Sequence, residues 1–88
     1  MPRLTDIGIG ARMKLRIVVT LKPGVLDPQG KAIEHALTGL GFGGVNGVRA
    51  GRIFELDVAD DTTYDAIDRM CRTLLANTVI DNYRVERP

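Results

Sequence analysis

The sequence contains few of the residue types that most site chemistry requires. Its 88 residues include one cysteine, one histidine and no tryptophan, and aromatic residues make up only 5%. A single cysteine cannot form an internal disulfide, and one cysteine with one histidine is too few for a structural zinc site. A chain of this length also cannot build a cleft between two domains. The composition therefore excludes disulfide scaffolds, structural metal sites and large two-domain enzymes.

Neither sign of charge is in excess. Lys and Arg number 12 and Asp and Glu number 11, which gives a net charge of +1. General nucleic-acid affinity needs basic residues that acids do not match, so no nucleic-acid partner is expected. No stretch approaches the roughly 20 apolar residues of a membrane span, and residues 1–12 hold no apolar segment of a secretion signal. The sequence predicts a soluble, cytoplasmic protein that does not bind membranes.

The first regular pattern starts at Met13. Residues 1–12 have no sustained period, which predicts a mobile N-terminal extension followed by one domain, residues 13–88. From Met13 to Lys22 apolar and polar residues alternate, as in a half-buried strand.

A first helix is predicted to begin at about residue 28. Asp27 can cap its free amides, and Pro28 suits the first helical position. Gly41 is expected to end the helix in a left-handed conformation. Helical spacing gives one apolar stripe, which consists of Ala32, Ile33, Ala36, Leu37 and Leu40.

The second half of the chain predicts a hairpin, a helix and a strand. Residues 45–49 and 52–59 read as two strands around a turn at Ala50 and Gly51. Thr62 and Asp65 resemble the capping box of a second helix, which Asn77 would close in a left-handed conformation. Residues 78–86 alternate again, as a last strand. The apolar positions of the second helix are Thr63, Ile67, Met70, Cys71 and Leu74.

The order strand, helix, strand, strand, helix, strand is the split βαβ arrangement. It predicts an α+β, ferredoxin-like βαββαβ sandwich: a four-stranded antiparallel sheet with two helices on one face. Val18, Ile53 and Ile80 are then expected on the other face. A bare apolar sheet face would favour a dimer.

No catalytic group emerges from the remaining candidates. Cys71 lies on an apolar helix stripe, where a small buried residue is the favoured interpretation over a nucleophile. His35 lies off the stripe of its helix, as a solvated residue would. Gly39, Gly41 and Gly44 match G-x-G-x-x-G, but they end a helix instead of opening one, so no nucleotide site is predicted.

The loop over residues 22–30 contains more polar residues than its turn requires. Residues 19–32, VTLKPGVLDPQGKA, resemble the signature of the PurS family, the small subunit of phosphoribosylformylglycinamidine synthase. Residues 40–42, 48–52 and 74–83 match in the same order, so the resemblance spans residues 13–86. The family pattern usually has lysine at Arg52, proline at Thr78 and glutamate at Asp81, departures that keep charge or size.

The resemblance implies a non-catalytic subunit of an ATP- and glutamine-dependent ligase in the fourth step of de novo purine biosynthesis. It would join a large synthetase subunit (PurL) to a glutaminase subunit (PurQ), support ammonia transfer and form a homodimer or higher oligomer. No cofactor is expected in this chain, whereas the synthetase would use ATP and Mg. The alternative is a stand-alone ligand-sensing regulatory module with residues 22–30 as its effector site.

No catalytic or metal-binding residue is predicted. The subunit-contact candidates are Lys22, Pro23, Gly24, Asp27, Pro28, Gln29, Lys31, Arg49, Arg52, Asn77 and Tyr83.

Overall fold

The computed structural model describes residues 11–88, which hold three strands and two helices. The elements are β1 (Arg12–Leu21), α1 (Pro28–Gly39), β2 (Gly51–Ala59), α2 (Tyr64–Met70) and β3 (Asp81–Glu86), with a π-helical turn, Cys71–Leu75, continuing α2. The sheet has the order β2-β1-β3, and both pairings are antiparallel. The predicted extension, residues 1–12, lies outside the described residues except for its last two positions.

One face of the sheet, called the inner face here, carries the hydrophobic core. Leu15, Ile17 and Val19 alternate along β1 and are buried beneath Ile67 and Cys71 of the second helical segment. Period-two alternation places them all on one face. Cys71 is fully buried, so its predicted core position is confirmed. The half-buried side chains that pack against this core are Met13, Phe54, Leu56, Val58, Leu75, Tyr83 and Val85.

The opposite face of the sheet, the open face, is mainly charged. Val18 and Ile53 do lie opposite each other on it, but Ile80 lies in the turn before β3. Ion pairs lie on the same face; for example, Nη1 of Arg12 lies 3.0 Å from Oδ2 of Asp57. The expected apolar dimer surface is therefore not formed on this face, because β1 also directs its basic residues there.

The predicted fourth strand is wrong: among the described residues the sheet has three strands, and residues 45–49 join none of them. The backbone N–H of Ala50 donates to the Asp27 carboxylate at 2.8 Å, so no tight reversal forms before β2. The segment instead runs beside the start of α1. A Cβ on the buried Gly30 would lie only 2.4 Å from the carbonyl oxygen of Val48, so this approach requires glycine.

The expectation of two helices on one sheet face is also wrong. Only α2 and its π-helical continuation cover the inner face, and no residue of α1 belongs to the core or to the side chains packed against it. Residues 22–50 therefore form an arm, named the α1 arm here, whose helix makes few contacts with the strands. The confirmed part of the fold prediction is an α+β domain with an antiparallel sheet and two helices.

Local signals in the first half of the chain are confirmed. Gly24 has a φ of +87° in a turn where Val25 N–H donates to the Lys22 carbonyl at 3.1 Å. Gly41 has a φ of +96° after α1, and the N–H of Phe42 donates to the Leu37 carbonyl at 3.0 Å. This is the Schellman termination that glycine favours.

The observed ends of the second helix differ from the predicted ones. Thr63, not Thr62, caps α2 by accepting from Ala66 N–H at 3.2 Å. No described non-glycine residue has a positive φ, so Asn77 does not close the helix in a left-handed conformation. The chain leaves through an extended Ala76, whose N–H donates to the Cys71 carbonyl at 2.8 Å.

The Asp27 carboxylate connects the two ends of the α1 arm. It accepts from the N–H of Gly30 and from the N–H of Ala50, both at 2.8 Å. These two backbone hydrogen bonds lower the pKa of Asp27 below its ordinary value of 3.8. The charged form is therefore the one that holds the arm in place.

Replacing Cys71 with serine is expected to destabilise the fold. The hydroxyl would be buried among apolar side chains, and burying a hydroxyl without a partner costs about 1–3 kcal/mol. Urea unfolding followed by circular dichroism measures this cost. Thr73→Ser, at an exposed position of the same π-helical turn, is the control and should change stability by less than about 0.5 kcal/mol. Equal stability of the two variants would contradict the burial of Cys71.

The stability that Asp27 contributes is expected to depend on pH. Since its pKa is lowered by folding, this contribution is complete well above 3.8 and is lost as the pH falls through and below that value. Asp27→Asn should therefore unfold at lower urea than the unmodified chain at pH 7, and the difference should shrink below pH 3.8. Asp61→Asn, in the exposed turn after β2, is the control. A difference that stays constant across this range would contradict the role of the charge.

Candidate functional site

Three loops meet at one end of the sheet and form what is called the loop junction here: residues 22–27, 49–52 and 76–81. Lys22 links the first and third loops, since its N–H donates to the Ile80 carbonyl at 2.8 Å and its Nζ donates to the Thr78 carbonyl at 2.7 Å. The Arg49 guanidinium links the second loop to the first by donating to the carbonyls of Leu21 and Lys22. Side chains thus hold three non-adjacent loops together.

Asp81 is the buried charge of the loop junction. Its side chain is only 7% exposed, and it accepts from the N–H of Asn77 at 2.9 Å and lies 3.5 Å from Nη2 of Arg52. The sequence interpretation did not select Asp81 as a functional residue. A signal was present, because Asp81 is in phase with Tyr83 and Val85 on the inner face, where a carboxylate needs donors.

A cleft of about 370 Å³ opens beside the loop junction. Asp27, Pro28 and Gln29 line one side of it, and Arg52 and Asn77 line another. The Arg52 guanidinium is largely exposed, and it also lies over the ring of Phe54 at 5.9 Å from the centroid. The cleft offers a cation, an amide and apolar walls, which suit binding of a peptide segment more than a reaction.

The structure brings most of the predicted contact residues together but not all. Tyr83 lies on β3, where its hydroxyl donates to the Asp68 carboxylate, and this hydrogen bond raises the pKa of Tyr83. Lys31 projects from α1 and lies 3.4 Å from Glu34. Pro23 forms, with the glycine after it, the exposed tip of a turn. The candidates that join the loops or line the cleft beside them are Lys22, Asp27, Pro28, Gln29, Arg49, Arg52 and Asn77.

Lys22 and Arg49 have structural tasks that the sequence did not reveal. Both side chains donate to backbone carbonyls of the loop junction. Gln29 and Lys31 are different, since both are exposed and neither makes a contact that links the loops. Among the candidates, these two are the best suited to recognition of another molecule.

Residues 11–88 contain no arrangement of side chains suited to catalysis or to metal binding. No three residues among His, Cys, Asp and Glu come together there as metal ligands would. Burial raises the pKa of the Cys71 thiol, with Asp68 adding to the effect, so the thiol stays protonated and poorly nucleophilic. His35 is exposed on α1, as predicted. Over residues 11–88 no helix has the length and hydrophobicity that crossing a membrane requires.

Comparison with known proteins gives consistent matches. The model of the PurS family, described as phosphoribosylformylglycinamidine (FGAM) synthase, matches residues 14–88. The chain is 49% identical over 74 residues to the synthase subunit PurS of Synechocystis, covering 81% of this chain and 74% of that protein. It is 45% identical over 75 residues to the PurS subunit of Bacillus subtilis, covering 83% of this chain and 89% of that protein.

Solved structures give the same result. The structure of B. subtilis PurS superposes with a TM-score of 0.77 at 44% identity, covering 86% of this chain and 96% of that one. A chain in the structure of PurLQS from Thermotoga maritima superposes with a TM-score of 0.80 at 28% identity, covering 89% of this chain and 99% of that one. With a family match over nearly the whole described region and relatives at this level of identity, the chain belongs to the PurS family of phosphoribosylformylglycinamidine synthase subunits.

Proposed function

We propose that this chain is a small non-catalytic subunit that joins the glutaminase and synthetase subunits of phosphoribosylformylglycinamidine synthase. The observation that carries the proposal is the likeness to a chain of PurLQS, which covers 89% of this chain. The reaction would be the glutamine- and ATP-dependent fourth step of de novo purine biosynthesis.

The chemistry of ammonia explains why such a subunit is useful. Ammonia released from glutamine is protonated and diluted in bulk water before it can attack an activated amide. A subunit that holds the two active sites in register removes this loss, since the reacting groups stay close and water is excluded. In this proposal the synthetase binds ATP and Mg, and this chain binds no cofactor.

The exposed side of the loop junction is the proposed contact with another subunit. Gln29 lines the cleft that Arg52 also lines, whereas Lys31, two positions further along α1, lines a second cleft with Val48 and Arg49. The loops beneath them are held by side-chain hydrogen bonds, so the surface is presented with little freedom to lose on binding. Arginine at the edge of such a cleft is a frequent anchor in protein interfaces.

The chain is also proposed to act as a homodimer or higher oligomer in the cytoplasm. Within residues 11–88 the core cluster contains six buried residues, so further burial between copies would add stability. The matched relatives are named as synthase subunits, which favours the joining role over a stand-alone ligand sensor.

The proposed contact predicts the effect of a double variant. Gln29→Ala combined with Lys31→Ala should leave stability within about 0.5 kcal/mol, as at ordinary exposed positions. In a reconstituted mixture with synthetase and glutaminase, subunit affinity should fall at least tenfold, and glutamine-dependent synthesis should fall with it. Synthesis from added ammonium should change much less, because that nitrogen source does not need the glutaminase.

The matched control combines Lys14→Ala with Asn82→Ala. It also removes one cation and one amide at exposed positions, but on the open face of the sheet. Its assembly and synthesis should equal those of the unmodified chain. If the Gln29 and Lys31 variant assembles with unchanged affinity, these residues are not the contact, and equal loss in both variants would point to a general charge effect.

A further inference from the structure

Two arginines line one pocket on the inner side of the sheet, called the arginine pocket here. It measures about 510 Å³ and lies between β2 and the chain that leaves the second helical segment. Arg52 contributes from β2 and Arg72 from the π-helical turn, and Thr73, Asn77 and Thr78 add polar side chains. No aspartate or glutamate of the described residues lines it. The walls of the pocket therefore carry two positive charges and no negative one.

Each arginine is oriented by one carboxylate outside the pocket. Nε of Arg72 lies 2.9 Å from Oδ2 of Asp68, and Nη2 of Arg52 lies 3.5 Å from Oδ2 of Asp81. Both carboxylates also accept from a second donor, so neither depends on its arginine alone. A guanidinium has five N–H donors, and both arginine side chains are more than half exposed. Most of their donors therefore stay available to another acceptor.

Neutral donors accompany the two arginines in the pocket. Oδ1 of Asn77 accepts from the N–H of Val79 at 3.1 Å, which leaves the Nδ2 group of this amide as a donor. Thr73 and Thr78 offer hydroxyl groups. The carbonyls that end the π-helical turn oppose an anion with roughly half an elementary charge, whereas the arginines supply two full positive charges. The balance favours an anion.

We propose that the arginine pocket binds a phosphate group, carried by free phosphate or by a small phosphate monoester. The donors come from a strand, a helical turn and a loop. A tetrahedral phosphate accepts from several such directions, whereas a planar carboxylate accepts best near its own plane. A phosphate monoester has a charge of about −1.5 to −2 at pH 7, which two arginines match. The volume also lies within the range of small-molecule sites, about 300–1,000 Å³.

Nuclear magnetic resonance titration of the full chain, labelled with nitrogen-15, tests the binding. At pH 7 and constant ionic strength, phosphate and ribose 5-phosphate should each shift the amide resonances of residues 72–78 and the side-chain resonances of Arg52 and Arg72. Ribose, which lacks the phosphate, should shift none of them. Tighter binding of ribose 5-phosphate than of phosphate would assign the sugar to the pocket as well, and equal binding would assign the phosphate group alone.

Succinate tests the selectivity for phosphate, because it offers two carboxylates and no phosphate. It should bind at least tenfold more weakly than ribose 5-phosphate. If succinate binds equally well, the pocket is a site for carboxylates such as those of an acidic peptide, and the phosphate assignment is wrong. If neither phosphate nor ribose 5-phosphate shifts these resonances, the pocket is not an anion site.

A matched pair of arginine variants tests the location of the site. Arg72→Gln should weaken binding of ribose 5-phosphate at least tenfold, with circular dichroism as the check on folding. Arg84→Gln is the control, since Arg84 is also more than half exposed on its side of the sheet and its Nε also donates to a carboxylate, that of Glu86 at 2.7 Å. It should change the affinity less than twofold. Equal loss in the two variants would show general charge attraction and overturn the site.

A second pair of variants keeps both arginines. Asn77→Asp preserves an acceptor for the N–H of Val79 but replaces the amide donor with a negative charge, so the affinity for ribose 5-phosphate should fall at least tenfold. Asn82→Asp, exposed on the open face, makes the same change in charge and should alter the affinity less than twofold. Unchanged affinity in Asn77→Asp would overturn the site even if Arg72→Gln does not fold.

The phosphate site goes beyond the proposed function and does not depend on it. The titrations use the chain alone, so a chain that fails to join synthetase and glutaminase but binds phosphate in this pocket overturns only the joining role. A chain that joins them but shows no phosphate-dependent shift at residues 72–78 overturns only the phosphate site.

Discussion

The two hydrogen bonds to the Asp27 carboxylate determine how the rest of the molecule is arranged. One comes from the first turn of α1 and the other from Ala50, where the chain returns to the sheet. Because both ends of the α1 arm meet at one side chain, residues 45–49 run beside the helix and not beside β2. This connection accompanies the three-stranded sheet and the exposed apolar stripe of α1.

The sequence predicted those parts of the fold that local patterns specify. Alternation identified β1 and the buried face of the sheet, and Asp27, Pro28 and Gly41 identified both ends of α1. The predicted hairpin was wrong because a long-range contact, not a local pattern, decides the path of residues 45–50. Residues 45–49 and 52–59 resemble two strands around a turn, but the N–H of Ala50 is used by a carboxylate 23 positions earlier in the chain. A bond between residues so distant leaves no periodic signal.

The sequence predicted which residues meet at the candidate site better than it predicted what each residue does there. The loop and the arginines selected from the sequence do meet at the loop junction, yet Lys22 and Arg49 hold loops together there. Asp81 was missed because a lone acid in an alternating strand resembles a surface residue until its face is known. Residues that organise a binding surface and residues that contact a partner have the same polar side chains, so sequence alone does not separate them.

The proposed function requires surfaces that bind other subunits. A small core leaves much of the chain at the surface. Among the described residues that surface has distinct regions: the cleft beside the loop junction, the exposed apolar stripe of α1 and the charged open face. In the proposed function, distinct surfaces would let one small chain bind several neighbours at once. Loops held by side-chain hydrogen bonds would keep those neighbours in a fixed relation, which transfer of a reactive molecule requires.

The most direct test of the central claim is sedimentation velocity of the synthetase and glutaminase, with glutamine and ATP, in the presence and absence of this chain. The account predicts that the two large subunits sediment as one species only when the chain is added, and that the chain is found in that species. Sedimentation of the two subunits that is the same with and without the chain would contradict it.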